Sequence, residues 1–201
     1  MVIEYANYLA EKGYNASLWY NAVHTVFKWN PKLKMLKIPI PTKLGTIIYG
    51  TLWRIKSDII IVDIIFLASL LSLRNRNRLI FFAQGYDEFY YRNPLKKLLT
   101  KILCLFCLKI MNVKTIAVSN PLSETLKKKY GANVTVVENG IDYDTFYPDP
   151  DENLTRNKGN RKAVLLLSRS DHAKGLDIAI KALNTLNDHW RDKIEIWICG
   201  E

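Results

Sequence analysis

Arg169 and Lys174 stand five residues apart in a polar loop, with the apolar run AVLLL at 163–167 before it and a helical pattern from Gly175 after it. Such a run suits a buried parallel strand. Strand, cationic loop and helix start together suit an anion, because the unpaired backbone N–H groups and positive end of the helix face the same way as the two cations. A diphosphate is the chemistry to expect. On this stretch alone, an ordinary strand-to-helix connection with solvated cations fits as well.

The elements that would position this loop alternate along the chain. A helix is predicted over 2–12 with Gly13 to end it, then a strand over 15–20, with no strand before the helix. Residues 24–43 are irregular, punctuated by Pro31, Pro39 and Pro41, with a short extended piece near 36–38. Helix 44–56, strand 57–62, helix 64–73 and strand 78–83 follow, and after the loop QGYDEFYYRN a helix spans 94–111 with Pro94 in its first turn. Lysines 96, 97, 101 and 109 interrupt that helix. It is either a basic amphipathic surface or a largely buried helix with snorkelling lysines, and apolar residues around most of its circumference favour the second. Strand 114–118, helix 121–130 capped by Gly131, and strand 134–137 come next. The alternation implies a parallel, doubly wound sheet.

Residues 139–160 turn to Asp, Pro, Asn and Gly without periodicity, which reads as a linker. Beyond it lie strand 163–168, helix 176–186 and strand 194–199. The expected organisation is a domain over 1–140, a linker over 141–160 and the start of a second domain over 161–201. The last piece is too small to bury its own surface, so the chain is expected to be marginally stable or self-associating, or to complete its fold with a second chain.

Charge is uneven: residues 1–130 hold 20 basic and 7 acidic side chains, and 131–201 hold 9 and 12. A basic half meets nucleic acid, an anionic membrane surface or a phosphorylated substrate, and charge alone does not choose among them. No motif interleaves aromatics with Arg and Lys in the manner of a nucleic-acid binder, so that class is set aside. Cys104 and Cys107, without a second pair or nearby histidine, read as core packing, and three cysteines without a disulfide framework suit a reducing compartment. Residues 59–73 are short for a membrane span and carry Asp63.

The segment VSNPLSETLKKKYGANVTVVENGIDYDTFYP, residues 118–148, resembles family 4 of the glycosyltransferases, retaining enzymes of the GT-B fold. It is similar to the family's serine-bearing strand end, its helix, and the NG(V/I)D…F.P passage from acceptor to donor domain. Arg169 and Lys174 match the spacing of the family's GR….KG loop, with Ser168 in place of the usual glycine. QGYDEF, residues 84–89, is similar to a Q.YE.F signature found in transferases of surface polysaccharide synthesis.

The resemblance implies an α/β, GT-B-like architecture: a Rossmann-like parallel-sheet acceptor domain followed by the first βαβ unit of a Rossmann-like donor domain. It also implies truncation at both ends, because the family's opening strand with its glycine-rich loop and its E-x7-E motif have no counterpart here. The implied reaction transfers a sugar from a nucleoside diphosphate sugar to a glycan, polysaccharide or lipid-linked acceptor with retention of configuration. No cofactor or metal is expected. Arg169 and Lys174 would stabilise the charge that builds on the departing diphosphate, with Ser168, Gly175, Asn139 and Gly140 around the donor. His172 either assists in the phosphate loop or is simply exposed. Gln84, Tyr86 and Asp63 would lie on the acceptor side. Asp87 would accept a hydrogen bond or proton from the acceptor hydroxyl, or else pair with Arg92 or solvent. Asp63 faces the ligand crevice of an open α/β sheet or caps the next helix. The implied location is cytoplasmic, with peripheral contact at the inner face of the membrane. The other reading is a noncatalytic remnant or assembly subunit of the same fold.

Overall fold

The computed structural model describes residues 2–21, 28–40, 42–52, 55–149, 151–168 and 175–200. Helix α1 (Val2–Glu11) ends as the glycine signal predicts, with Gly13 at φ 87°. Strands β1 (Ser17–Tyr20) and β2 (Lys34–Lys37) pair in parallel, Trp19 opposite Leu36. Helix α2 (Lys43–Leu52) leads to β3 (Ile60–Val62), α3 (Ile65–Asn75) and β4 (Leu79–Ala83).

The predicted helix over 94–111 forms as α4 (Pro94–Cys104) and a π-helical turn, Leu105–Ile110. Asn93 caps it, its side-chain oxygen accepting from the amides of Leu95 and Lys96 at 2.9 and 3.2 Å. Strand β5 (Lys114–Ala117), helix α5 (Asn120–Tyr130) and strand β6 (Val134–Val136) complete the series. Ser119 caps α5 and Gly131 closes it in the left-handed region at φ 61°.

Strands β3 to β6 form one parallel sheet in the order β3-β4-β5-β6. Among the described residues the order of these four strands steps in one direction, within the parallel alternation that the sequence implies. Right-handed crossovers that all step one way leave their helices on one face. Accordingly α3 packs against α4 and the π turn, and the π turn packs against α5. The core lies under this layer, where Ile60, Val62, Leu79, Phe81 and Ala117 meet Ala68, Leu71, Leu108, Leu126 and Tyr130. The opposite face is covered in part by α1, whose Tyr5 ring meets Phe82 edge-on at 5.6 Å between centroids.

Cys104 and Cys107 are buried in the core, and burial first of all pushes each thiol up to about 12. Both are protonated packing groups.

The chain from 139 to 160 is more ordered than its composition predicts. Asp142 accepts from the amide of Asp144 at 3.0 Å and the hydroxyl of Thr145 at 2.6 Å, and Asp151 accepts from the amides of Asn153 and Leu154. The second of these starts a short helix, α6 (Glu152–Lys158), in a stretch expected to be irregular. Strand β7 (Lys162–Ser168), helix α7 (Leu176–Asn184), the single turn α8 (Asp188–Arg191) and strand β8 (Ile194–Gly200) follow. Strands β7 and β8 pair in parallel as a separate two-stranded sheet, Leu165 opposite Trp197, with Leu165, Leu167, Ile196 and Ile198 exposed. No helix among the described residues is long and apolar enough to cross a membrane.

The largest departure from expectation is α4. Composition favours a largely buried helix, yet Leu95, Leu98, Leu99 and Ile102 are 73, 54, 50 and 52% exposed. Only the side bearing Thr100 and Cys104 is buried. An element apolar on two sides gives no periodic signal for which side meets the core.

Candidate functional site at the carboxyl edge of the sheet

In a parallel sheet every strand delivers the residue after its last pairing to the same edge, the place where ligands bind in open α/β folds. Here β3 delivers Asp63 and β4 delivers Gln84. The Gln84 amide donates from Nε2 to Oδ2 of Asp63 at 3.0 Å, so the two side chains meet across neighbouring strands. Asp63 does not cap α3, whose N-terminus has no side-chain cap. It remains exposed at the edge.

Asp87 stands three residues beyond Gln84 in a short 3-10 turn, Asp87–Tyr90. Burial, and secondarily the negative charge of Asp63, pushes its carboxyl up to about 6. It does not pair with Arg92, whose guanidinium reaches Asp177 on α7 at 3.7 Å, both side chains well exposed. Two carboxyl groups, an amide and a protonation equilibrium near neutral pH therefore share one edge. Such a group can take a proton from a hydroxyl held against it.

The turn carrying Asp87 is anchored by a chain of hydroxyls. Lys129 donates from Nζ to the Tyr86 hydroxyl at 2.7 Å and lies over its ring at 4.5 Å. The Tyr86 and Tyr130 oxygens are 3.3 Å apart, and the Tyr130 hydroxyl donates to Oε1 of Glu88. The Tyr130 proton goes to Glu88, and the Tyr86 hydroxyl accepts from Lys129 and has one proton to share between Tyr130 and Glu88. Tyr86, expected among the acceptor-side residues, thus has its hydroxyl committed to fastening the loop onto α5.

Burial by itself would raise Glu88, but the hydrogen bonds from Tyr130 and Tyr86 and the charges of Lys129 and Lys101 outweigh it and hold the carboxyl below its ordinary value. Tyr130→Phe is expected to cost about 1.5 to 3 kcal/mol, as for a hydrogen bond to a charged group. Because the folded carboxyl titrates below the unfolded one, that contribution is present at neutral pH and fades as pH falls through the folded value. Urea melts of the variant and parent at neutral and acid pH measure both effects.

Asn139 and Gly140 follow β6 at the same edge. The Tyr5 hydroxyl donates to Oδ1 of Asn139 at 3.2 Å, bringing α1 to this edge. Gly140 has no left-handed backbone, and a Cβ there would meet nothing within 4 Å. Its role is not in forming a turn that only glycine permits. Of the cationic loop, Ser168 ends β7 opposite Gly200, and Gly175 precedes α7 in the left-handed region at φ 67°. Arg169, His172 and Lys174 lie outside the described residues.

At the amino end of β4 a shallow cleft of about 480 Å³ is lined by Arg74, Asn75, Arg76, Asn77, Arg78 and Met111. Arg78 there already donates to Oδ1 of Asn75 and, at 2.6 Å, to the carbonyl of Ser57. The Lys129–Tyr86–Tyr130–Glu88 chain leaves no local motif in the sequence, because the two segments that supply it lie more than forty residues apart.

Fold and edge together define an α/β protein with parallel sheets, compatible with a Rossmann-like fold, carrying a cluster of carboxyl groups at its strand ends. No protein-family model matches the chain, and no curated protein matches it.

Proposed function

We propose that this chain carries out, or forms part of a protein that carries out, transfer of a sugar from a nucleoside diphosphate sugar to a hydroxyl acceptor with retention of configuration. The observation that carries this reading is the meeting of Asp63, Gln84 and Asp87 at the carboxyl edge of the parallel sheet, with Asp87 pushed up to about 6. The order of motifs described above supports it. In this reading the sheets β1-β2 and β3-β4-β5-β6 correspond to the acceptor domain, and the β7-β8 pair with α7 to the opening βαβ unit of the donor domain, of a GT-B architecture.

Each group then has a chemical task. Arg169 holds phosphate oxygens in a bidentate fork and Lys174 adds a point charge, so that the negative charge developing on the leaving diphosphate meets fixed cations. Gly175 lets the loop enter α7 with its backbone close to phosphate. Asp87 receives the acceptor hydroxyl's proton and Gln84 orients Asp63 beside it. The acceptor is a glycan, polysaccharide or lipid-linked sugar. No metal is assigned a role, since the cations named carry the charge.

Calorimetric titration of the chain with UDP- and GDP-sugars, beside Arg169→Ala, tests the donor assignment. Binding by the parent that weakens by about two- to fivefold in the variant is expected, the larger loss falling on the chemical step. A folded parent that binds no nucleotide sugar would overturn it. The exposed apolar residues of β7 and β8 favour a second reading, a noncatalytic subunit that assembles with further polypeptide. That reading predicts no donor binding and a stable complex instead.

A further inference from the structure

We propose that the outward side of α4 is a docking surface for an anionic lipid membrane. Leu95, Leu98, Leu99 and Ile102 recur at i, i+3, i+4 and i+7, which places them in one stripe. At about 100° per residue, Thr100 and Cys104, the buried positions of this helix, fall on the opposite side. The helix is therefore apolar twice, once towards α3 and once towards solvent. Lys96 and Lys101 fall on the two flanks between these sides, whereas Lys97 falls on the far side from the stripe, near Cys104. The preceding turn extends the apolar patch with Phe89, Tyr90 and Tyr91, all exposed.

Charge identifies the occupant. From residue 89 to residue 123 the basic side chains are Arg92, Lys96, Lys97, Lys101, Lys109 and Lys114, and there is no Asp or Glu. A second copy of this chain seated on the stripe would bring this excess of lysines against its own counterpart, and the carboxylate beside Lys101, Glu88, already accepts from the Tyr130 hydroxyl within its own chain. A nucleic acid would satisfy the lysines but leave the leucine stripe in water. An anionic bilayer satisfies both: apolar side chains enter the boundary between headgroups and acyl chains, and the flanking lysines extend to the lipid phosphates. Aromatic residues beside the stripe suit the same boundary. Each lysine near such a surface is worth about a fivefold change in partition.

The assignment does not rest on the sugar chemistry, because the patch and the carboxylate edge are separate groups of residues. Co-sedimentation of the full chain with vesicles of phosphatidylcholine, with and without equimolar phosphatidylglycerol, tests it. Binding to the anionic vesicles with much weaker binding to the neutral ones is expected. The exposed-site variant Leu98→Asp/Leu99→Asp should lose binding at any salt. Lys96→Ala/Lys101→Ala should lose about 25-fold at low salt, and circular dichroism should show both variants folded. Equal binding by the parent and the leucine variant would overturn the proposal. So would salt-sensitive RNA binding without vesicle binding, or a dimer that the leucine variant disperses in a chain that ignores both kinds of vesicle.

Discussion

Replacing Arg169 by alanine is expected to lower kcat for sugar transfer by about 100- to 1,000-fold while changing the donor KM much less. The reason is where the charge appears. In the ground state the diphosphate already carries its charge and water solvates it well, so losing one cation weakens binding modestly. As the glycosidic bond breaks, further negative charge moves onto the leaving oxygen, and a fixed guanidinium is worth most at that moment. Loss of one such preorganised donor typically costs two to three powers of ten in rate, about 2.7 to 4 kcal/mol. Lys174→Ala should act in the same direction, and Arg169→Lys should restore only part of the rate because the bidentate fork is lost. Steady-state kinetics of the three variants, with circular dichroism as a folding control, separate this from a mere loss of binding.

Asp87→Asn is expected to move stability and activity in opposite directions. The carboxyl is pushed up to about 6 from its ordinary 3.8, chiefly by burial. A carboxyl whose folded pKa exceeds its unfolded one binds its proton more tightly in the fold. The stability it contributes is therefore complete below the unfolded value and is lost as pH rises from about 4 through 6. At pH 7 the parent keeps a half-buried carboxylate that asparagine would replace with a neutral group. The variant should accordingly be more stable there by about 2 to 3 kcal/mol, and the loss of stability that Asp87 causes between about pH 4 and 6 should be absent from it. If Asp87 takes the acceptor's proton, transfer by the same variant falls about 100-fold or more, and the parent's activity rises with pH through a limb near 6. A variant that gains stability and keeps its activity would assign Asp87 a purely structural cost.

Much of this molecule is legible in its residues where local chemistry decides. Gly13 and Gly131 end α1 and α5 as predicted, and Pro94 and Asn93 open α4. The strand ends that deliver Asp63 and Gln84 follow from two apolar runs. Features set by tertiary contact are not legible. The one-way order β3-β4-β5-β6 depends on which strands become neighbours, which no single strand records. The outward side of α4 looks like core because its leucines match those facing inward. Helix α6 lacks periodicity, although Asp151 at its start is an ordinary capping signal that composition obscured. At the site, Asp87 could be named from the sequence, but its half-burial and the Asp63 charge beside it required the fold.

In the proposed function a nucleotide sugar and its acceptor meet at the carboxyl edge of these parallel strands. Amide chemical-shift mapping during titration with UDP- and GDP-sugars tests it most directly. Shifts are expected at Asp63, Gln84, Asp87, Asn139 and Leu176, together with Arg169 and Lys174. Shifts confined to the Arg74–Arg78 cleft at the amino end of β4, or no shift with any nucleotide sugar, would contradict it.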